Sequence, residues 1–207
     1  MPFKSQTHKS FDIINYKYFL ESGNFMLPDK EPIVIELDIK KLMVDNIVIT
    51  IGLAILFIAI QYICLKDFQF SFGQMILGIV LFVLLYIVFI VLHEAFHLIG
   101  FMVFGRVPFK SLKYGVNLEL GVAYATTEKP LSNHAMKKAL LLPFWTTGVL
   151  PTLTGFYVNS TVLLLVGACL MAGAVGDFAM YKELRKYPKN ALVQDDPNLP
   201  KLYVYIK

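Results

Sequence analysis

Long apolar runs set the organisation of this chain. Neither residues 47–65 nor residues 68–92 contain Asp, Glu, Lys, Arg or His. Residues 139–176 are uncharged as well. At about 1.5 Å per residue this last run can cross a ~30 Å hydrocarbon core twice. Asn159-Ser160, behind Gly155, is the natural place for a tight turn between the two crossings. The pattern predicts an all-α membrane fold with four transmembrane helices, at about 46–65, 74–104, 139–158 and 161–181. The first run begins after more than forty mixed residues, so it reads as a retained span and not as a cleaved signal.

The polar segments carry a second, shorter period. Ile35, Leu37 and Ile39 alternate with Glu36, Asp38 and Lys40. Leu112, Tyr114, Val116, Leu118, Leu120, Val122 and Tyr124 alternate in the same way, and Leu202 to Ile206 is a third candidate strand. Period two predicts strands, hence a small β element on one membrane face. The expected domains are an N-terminal tail (1–45), a four-span domain (46–184) with a loop at 105–138, and a C-terminal tail (185–207).

Composition agrees. Apolar residues make up 57% and charged residues 16%, against about 25% charged in soluble domains. Disorder, a disulfide scaffold, collagen and a long coiled coil are excluded. Cys64 and Cys169 lie far apart in apolar runs and read as buried small hydrophobes.

The net charge of +4 matters less than its distribution. Lys4, Lys9, Lys17, Lys30, Lys40 and Lys41 precede the first span. Arg106, Lys110, Lys113, Lys129, Lys137 and Lys138 lie between the second and third. Lys182, Arg185, Lys186, Lys189, Lys201 and Lys207 close the chain, and only Lys66 falls on the other side. The positive-inside rule puts both termini and the long loop in the cytoplasm. The basic residues therefore report orientation, and no nucleic-acid partner is expected. Asn159-Ser160-Thr161 matches a glycosylation sequon but sits in a tight turn at the membrane and carries no functional weight.

The second span ends in His93-Glu94-Ala95-Phe96-His97. Residues i and i+4 share a helix face, so the two imidazoles can hold one Zn²⁺ while Glu94 reaches a metal-activated water. Ionisable groups inside a span are costly and usually serve a site. The plain alternative is a helix end whose polar groups snorkel to the interface.

A catalytic zinc needs a third protein ligand and an open position. Glu119, Glu128, His134, Asp177 and Glu183 are candidates. Asp177 is favoured because it lies at nearly the depth of His93 on a span running in the same direction. Ala168, Ala172 and Gly176, flanked by Gly173, form a row of small residues on that span, which favours close helix approach. Gly100 continues the His93–His97 face. His134 ranks next, Glu183 has only its helix position in its favour, and His8 has nothing. With zinc present, Glu94 is the general base and then the acid for a leaving amine. Pro143, in Leu142-Pro143-Phe144, reads either as an opening of backbone at the depth of the site or as a tolerated kink.

At these residues the chain resembles the zincin peptidase family of small multi-span bacterial membrane proteins, a family similar in layout to site-2 proteases. The resemblance rests on His93-Glu94-x-x-His97 at a span end, the basic loop with an extended segment, Leu142-Pro143, and Gly176-Asp177. It covers roughly residues 85–184. It implies His93, His97 and Asp177 as zinc ligands, Glu94 as the catalytic residue, and a bacterial plasma membrane as the location. The fuller site-2 signature is absent, since the order here is Gly-Asp-Phe.

The sequence thus describes a zinc metallopeptidase of the HExxH type. It is expected to cut a membrane-embedded or membrane-adjacent peptide at the cytoplasmic edge of the lipid bilayer. One rival reading is a non-catalytic assembly or partner-binding protein whose metal is structural or absent. Another is a metal-handling transporter, which four spans without an evident repeat disfavour.

Overall fold

The computed structural model describes residues 31–65, 72–117, 122–196 and 201–206. His8, Glu119, Lys66 and the basic residues of the first thirty positions lie outside the described residues. Four helical stretches are long and apolar enough to cross a membrane: Ile39–Cys64, Gly73–Gly105, Asn133–Tyr157 and Thr161–Leu184. This is a membrane protein.

The first two spans are continuous helices, α1 (Ile39–Leu65) and α2 (Phe72–Gly105). α1 begins earlier than its apolar run because Asp38 caps it, its carboxylate accepting from the Lys41 N–H at 3.1 Å. Ile39, expected in a strand, is the first residue of that helix. Both helices show apolar side chains around most of their surface, including Ile55, Ile63, Leu84 and Val91, as lipid-facing helices do. Cys64 belongs to this outward surface and is not buried. α2 ends at Arg106, whose positive φ of 54° lets the Val107 N–H reach back to the Phe101 carbonyl at 3.3 Å.

The other two spans are broken helices. The third runs from α3 (Asn133–Pro143) through a π-helical stretch (Phe144–Val149) into α4 (Leu150–Tyr157). It starts six residues before the apolar run, because Ser132 caps it with a hydroxyl accepting from Ala135 N–H at 3.3 Å. Lys137 and Lys138 therefore ride on the helix and not in the loop. The fourth comprises α5 (Thr161–Gly173) and α6 (Val175–Leu184), separated at Ala174. The turn between α4 and α5 is at Asn159, in the left-handed region with φ 53°.

Small residues set the spacing of the third and fourth spans. A Cβ at Gly148 would lie 2.8 Å from Met171, and one at Gly167 would lie 2.1 Å from the Thr152 hydroxyl oxygen. The row anticipated on the fourth span is only half used: Ala168 and Ala172 are fully buried, whereas a Cβ at Gly173 or Gly176 would meet open space. Gly100 of α2 faces the third span and not the fourth, with a hypothetical Cβ 2.8 Å from Ala139 Cα.

Outside the spans lie six strands: β1 (Ile33–Glu36), β2 (Leu112–Asn117), β3 (Val122–Thr127), β4 (Leu131–Ser132), β5 (Leu192–Asp195) and β6 (Lys201–Tyr205). β1-β6-β5-β4 form one antiparallel sheet. It joins the segment before the first span, the loop before the third and the tail after the fourth, so all three lie on the same side. The alternating run from Leu112 is a hairpin, not one strand, with β2 and β3 paired from Leu112↔Thr127 to Asn117↔Val122. Asn117 and Gly121, residue types that favour turns, bracket its connection.

The apolar core of this side collects Phe101 from the end of α2 and Val107 just beyond it, Met136 and Ala139 from α3, and Val193, Leu202 and Val204 from the sheet. Asn133 locks two spans together: the two hydrogens of its side-chain amide are shared among the Leu184, Tyr187 and Pro188 carbonyls, each at 2.9 Å, where α6 ends.

β5 ties the hairpin to the sheet. Gln194 donates to the Thr127 carbonyl at 2.6 Å, and Asp195 points the other way along the pleat. Removal from water pushes the Asp195 carboxyl up to about 7, and neighbouring Asp196 adds to this, against the opposing pull of Thr126 and His97. A carboxyl raised above its unfolded value of about 3.9 favours the fold below that value. Its contribution is lost as pH rises through about 7. Asp195→Asn is therefore expected to flatten the fall in stability of the metal-free protein between about pH 4 and pH 7. Thermal unfolding in detergent with chelator checks this, and an unchanged pH slope would contradict it.

Candidate metal centre

His93 and His97 lie one turn apart on α2, both buried, with ring centroids 5.1 Å apart. Phe101, one turn further on, stacks behind His97 at 6.4 Å. Asp177 comes from the fourth span. It is the third residue of α6, just past the break at Ala174, in the first turn of a new helix. There the exposed N–H groups of the helix start favour a carboxylate.

The three side chains converge. His93 Nε2 lies 3.3 Å from Asp177 Oδ2, and His97 Nε2 lies 3.4 Å from Asp177 Oδ1. One ligand atom from each of the three falls within 4.8 Å of the others. Among the described residues this is the grouping of His, Cys, Asp and Glu side chains able to hold a metal ion.

The far nitrogens decide what the near ones can do. His93 Nδ1 lies 3.2 Å from the Thr147 hydroxyl, and that hydroxyl donates its single hydrogen to the Pro143 carbonyl at 2.8 Å. Thr147 can therefore only accept from His93, which places a hydrogen on Nδ1. His97 Nδ1 lies 3.1 Å from the Ala139 carbonyl, an obligate acceptor. Both neutral imidazoles thus carry Nδ1–H and turn an Nε2 lone pair toward the Asp177 carboxylate.

Lone pairs facing lone pairs repel unless a proton or a cation lies between them. Two imidazole nitrogens and one carboxylate are a usual zinc donor set. Bonds of about 2.0–2.2 Å in a tetrahedron give ligand separations of about 3.4 Å; each histidine lies near that distance from one of the two Asp177 oxygens. The residues fit Zn²⁺. Backing of each imidazole by a carbonyl or hydroxyl is the usual second layer of such a site.

Glu94 follows His93, is half-buried, and lies within electrostatic reach of both histidines and Asp177. The other candidates are elsewhere. Glu128 pairs with Lys113 at 2.7 Å in the hairpin region. Glu183 pairs with Lys186 past the site. His134 is exposed at the start of α3. Sequence reading missed Thr147 and the Ala139 carbonyl as partners of the imidazoles.

A family model described as "Putative zincin peptidase" matches residues 86–192. No curated protein and no solved structure matches the chain. The matched stretch takes in Glu94, the three converging donors and the third-span residues behind them, and it exceeds half of the 207 residues. On that extent of agreement the chain belongs to the family so described.

Proposed function

We propose that this protein is a zinc-dependent integral-membrane metallopeptidase, with His93, His97 and Asp177 as metal ligands and Glu94 as the catalytic residue. One observation carries the reading: His93, His97 and Asp177, from two different spans, bring one ligand atom each to within 4.8 Å of the others, while Thr147 and the Ala139 carbonyl hold the far imidazole nitrogens. The family match supports the same chemistry.

Zn²⁺ bound by these residues supplies Lewis acidity, which polarises a scissile carbonyl and makes water nucleophilic near neutral pH. Glu94 then takes the proton of the attacking water on its carboxylate and passes it to the departing amine nitrogen. Thr147 and the Ala139 carbonyl hold the imidazole planes so that both Nε2 atoms stay aimed inward.

The substrate is a peptide embedded in or lying against the membrane. From Gly73, His93 is twenty residues along α2, about 30 Å at 1.5 Å per residue, which is one full hydrocarbon core. The site therefore sits at a membrane edge, on the side of the β-sheet. The basic segments gathered on that side make it cytoplasmic, with both termini there, in a plasma membrane.

Two substitutions test this in purified full-length protein. Glu94→Gln is expected to keep zinc and lower cleavage of a membrane-peptide library by about 10²–10⁴-fold. Equal cleavage by both proteins would remove the peptidase reading and leave the metal. Asp177→Asn is expected to lower zinc content below one ion per chain by elemental analysis, and full retention would remove Asp177 from the ligand set.

A further inference from the structure

We propose that Pro143 is a positioning residue for the zinc-binding His97, acting through the Ala139 carbonyl that its ring leaves free. The inference rests on the metallopeptidase reading of the same site and assigns part of its ligand geometry to a residue that touches neither metal nor substrate.

In an α-helix the carbonyl of Ala139 would accept from the N–H of residue 143. Proline has no N–H. Ala139 is fully buried, so its carbonyl must find another donor or stay unpaired in an apolar core. The donor is His97 Nδ1–H, at 3.1 Å. Gly100 makes this reach possible, since a Cβ there would collide with Ala139 Cα at 2.8 Å.

The carbonyl of Pro143 itself serves the other imidazole. It receives the Thr147 hydroxyl hydrogen at 2.8 Å, which leaves Thr147 only an acceptor for His93 Nδ1–H at 3.2 Å. Thr147 lies in the π-helical stretch that begins directly after Pro143, and such stretches recur at functional sites. The ring thus orients His97 by the hydrogen bond it removes from α3, whereas the acceptor for Thr147 is a backbone carbonyl that any residue at 143 would supply.

A proline that is only a tolerated kink makes a different forecast. Pro143→Ala adds an N–H that competes for the Ala139 carbonyl, and it also restores a better helix former. As a plain kink removal it would raise stability and leave the metal site alone. As a positioning change it weakens the site without lowering stability.

The test uses full-length protein in detergent micelles. In chelator-treated wild type, ¹⁵N shifts are expected to report a hydrogen-bonded hydrogen on His97 Nδ1, and Pro143→Ala to give a mixture of protonation states there. Zn²⁺ affinity by competition is expected to fall about 10-fold or more, and the visible spectrum of the Co²⁺-loaded protein to shift, with an unfolding temperature no lower than wild type. A second variant places the α-hydroxy acid lactate at position 143. It has no N–H, and it is expected to restore the His97 tautomer and most of the affinity. The inference is overturned if Pro143→Ala keeps wild-type tautomer, spectrum and affinity, or if the lactate variant behaves like alanine. If wild type binds no zinc while the tautomer still responds to Pro143→Ala, the metallopeptidase reading falls and the positioning of His97 stands.

Discussion

Three electron-pair donors aimed at one another inside an apolar bundle are the constraint on which the rest depends. Burying polar groups against hydrocarbon is costly, and facing two imidazole lone pairs toward a carboxylate adds repulsion to that cost. Only positive charge between them makes the arrangement favourable. A bundle that holds His93, His97 and Asp177 this way has the donor set of the proposed metal site. The acid comes from another span, so the metal would also bridge the second and fourth crossings, coupling site and fold.

The irregularities of the backbone gather around that constraint. α1 and α2 are unbroken helices that face lipid. The third span turns π-helical beside His93, and the fourth is interrupted three residues before Asp177. These breaks expose carbonyl and amide groups at the depth where the ionisable side chains meet. Non-helical backbone at membrane depth is tolerated where protein covers it, and Thr147 and Gly148 of the π stretch are buried. On the sheet side, Asn133 and strands β4 to β6 bind the start of the third span to the end of the fourth. Ala139 lies six residues after Asn133, and Asp177 seven residues before Leu184, one of the Asn133 partners.

Much of this was legible in the sequence, for identifiable reasons. Apolar runs of about 20 residues have few alternatives to spanning, so the four crossings followed from length, and the turn at Asn159 from its polar pair behind Gly155. The i,i+4 histidines fix a shared face regardless of context. The convergence of Asp177 with them followed from equal depth on two spans of the same direction. What failed was partner choice. Small residues announce close approach without naming the neighbour, and Gly100 met the third span where the fourth was expected. The alternating run from Leu112 gave the right period but hid a hairpin, since period two is the same on both arms. β4 has two residues and β5 four, too short to show a pattern. Thr147 carried no signal at all. Pro143 guaranteed a free carbonyl at Ala139, yet nothing in one dimension said that His97 would face it.

X-ray absorption at the zinc edge on purified, zinc-loaded protein tests the central claim most directly. The account expects one tightly held zinc with two imidazole nitrogens and oxygen ligands, all at about 2.0–2.2 Å. A spectrum lacking imidazole scattering, or protein that retains no zinc after loading and washing, would contradict it.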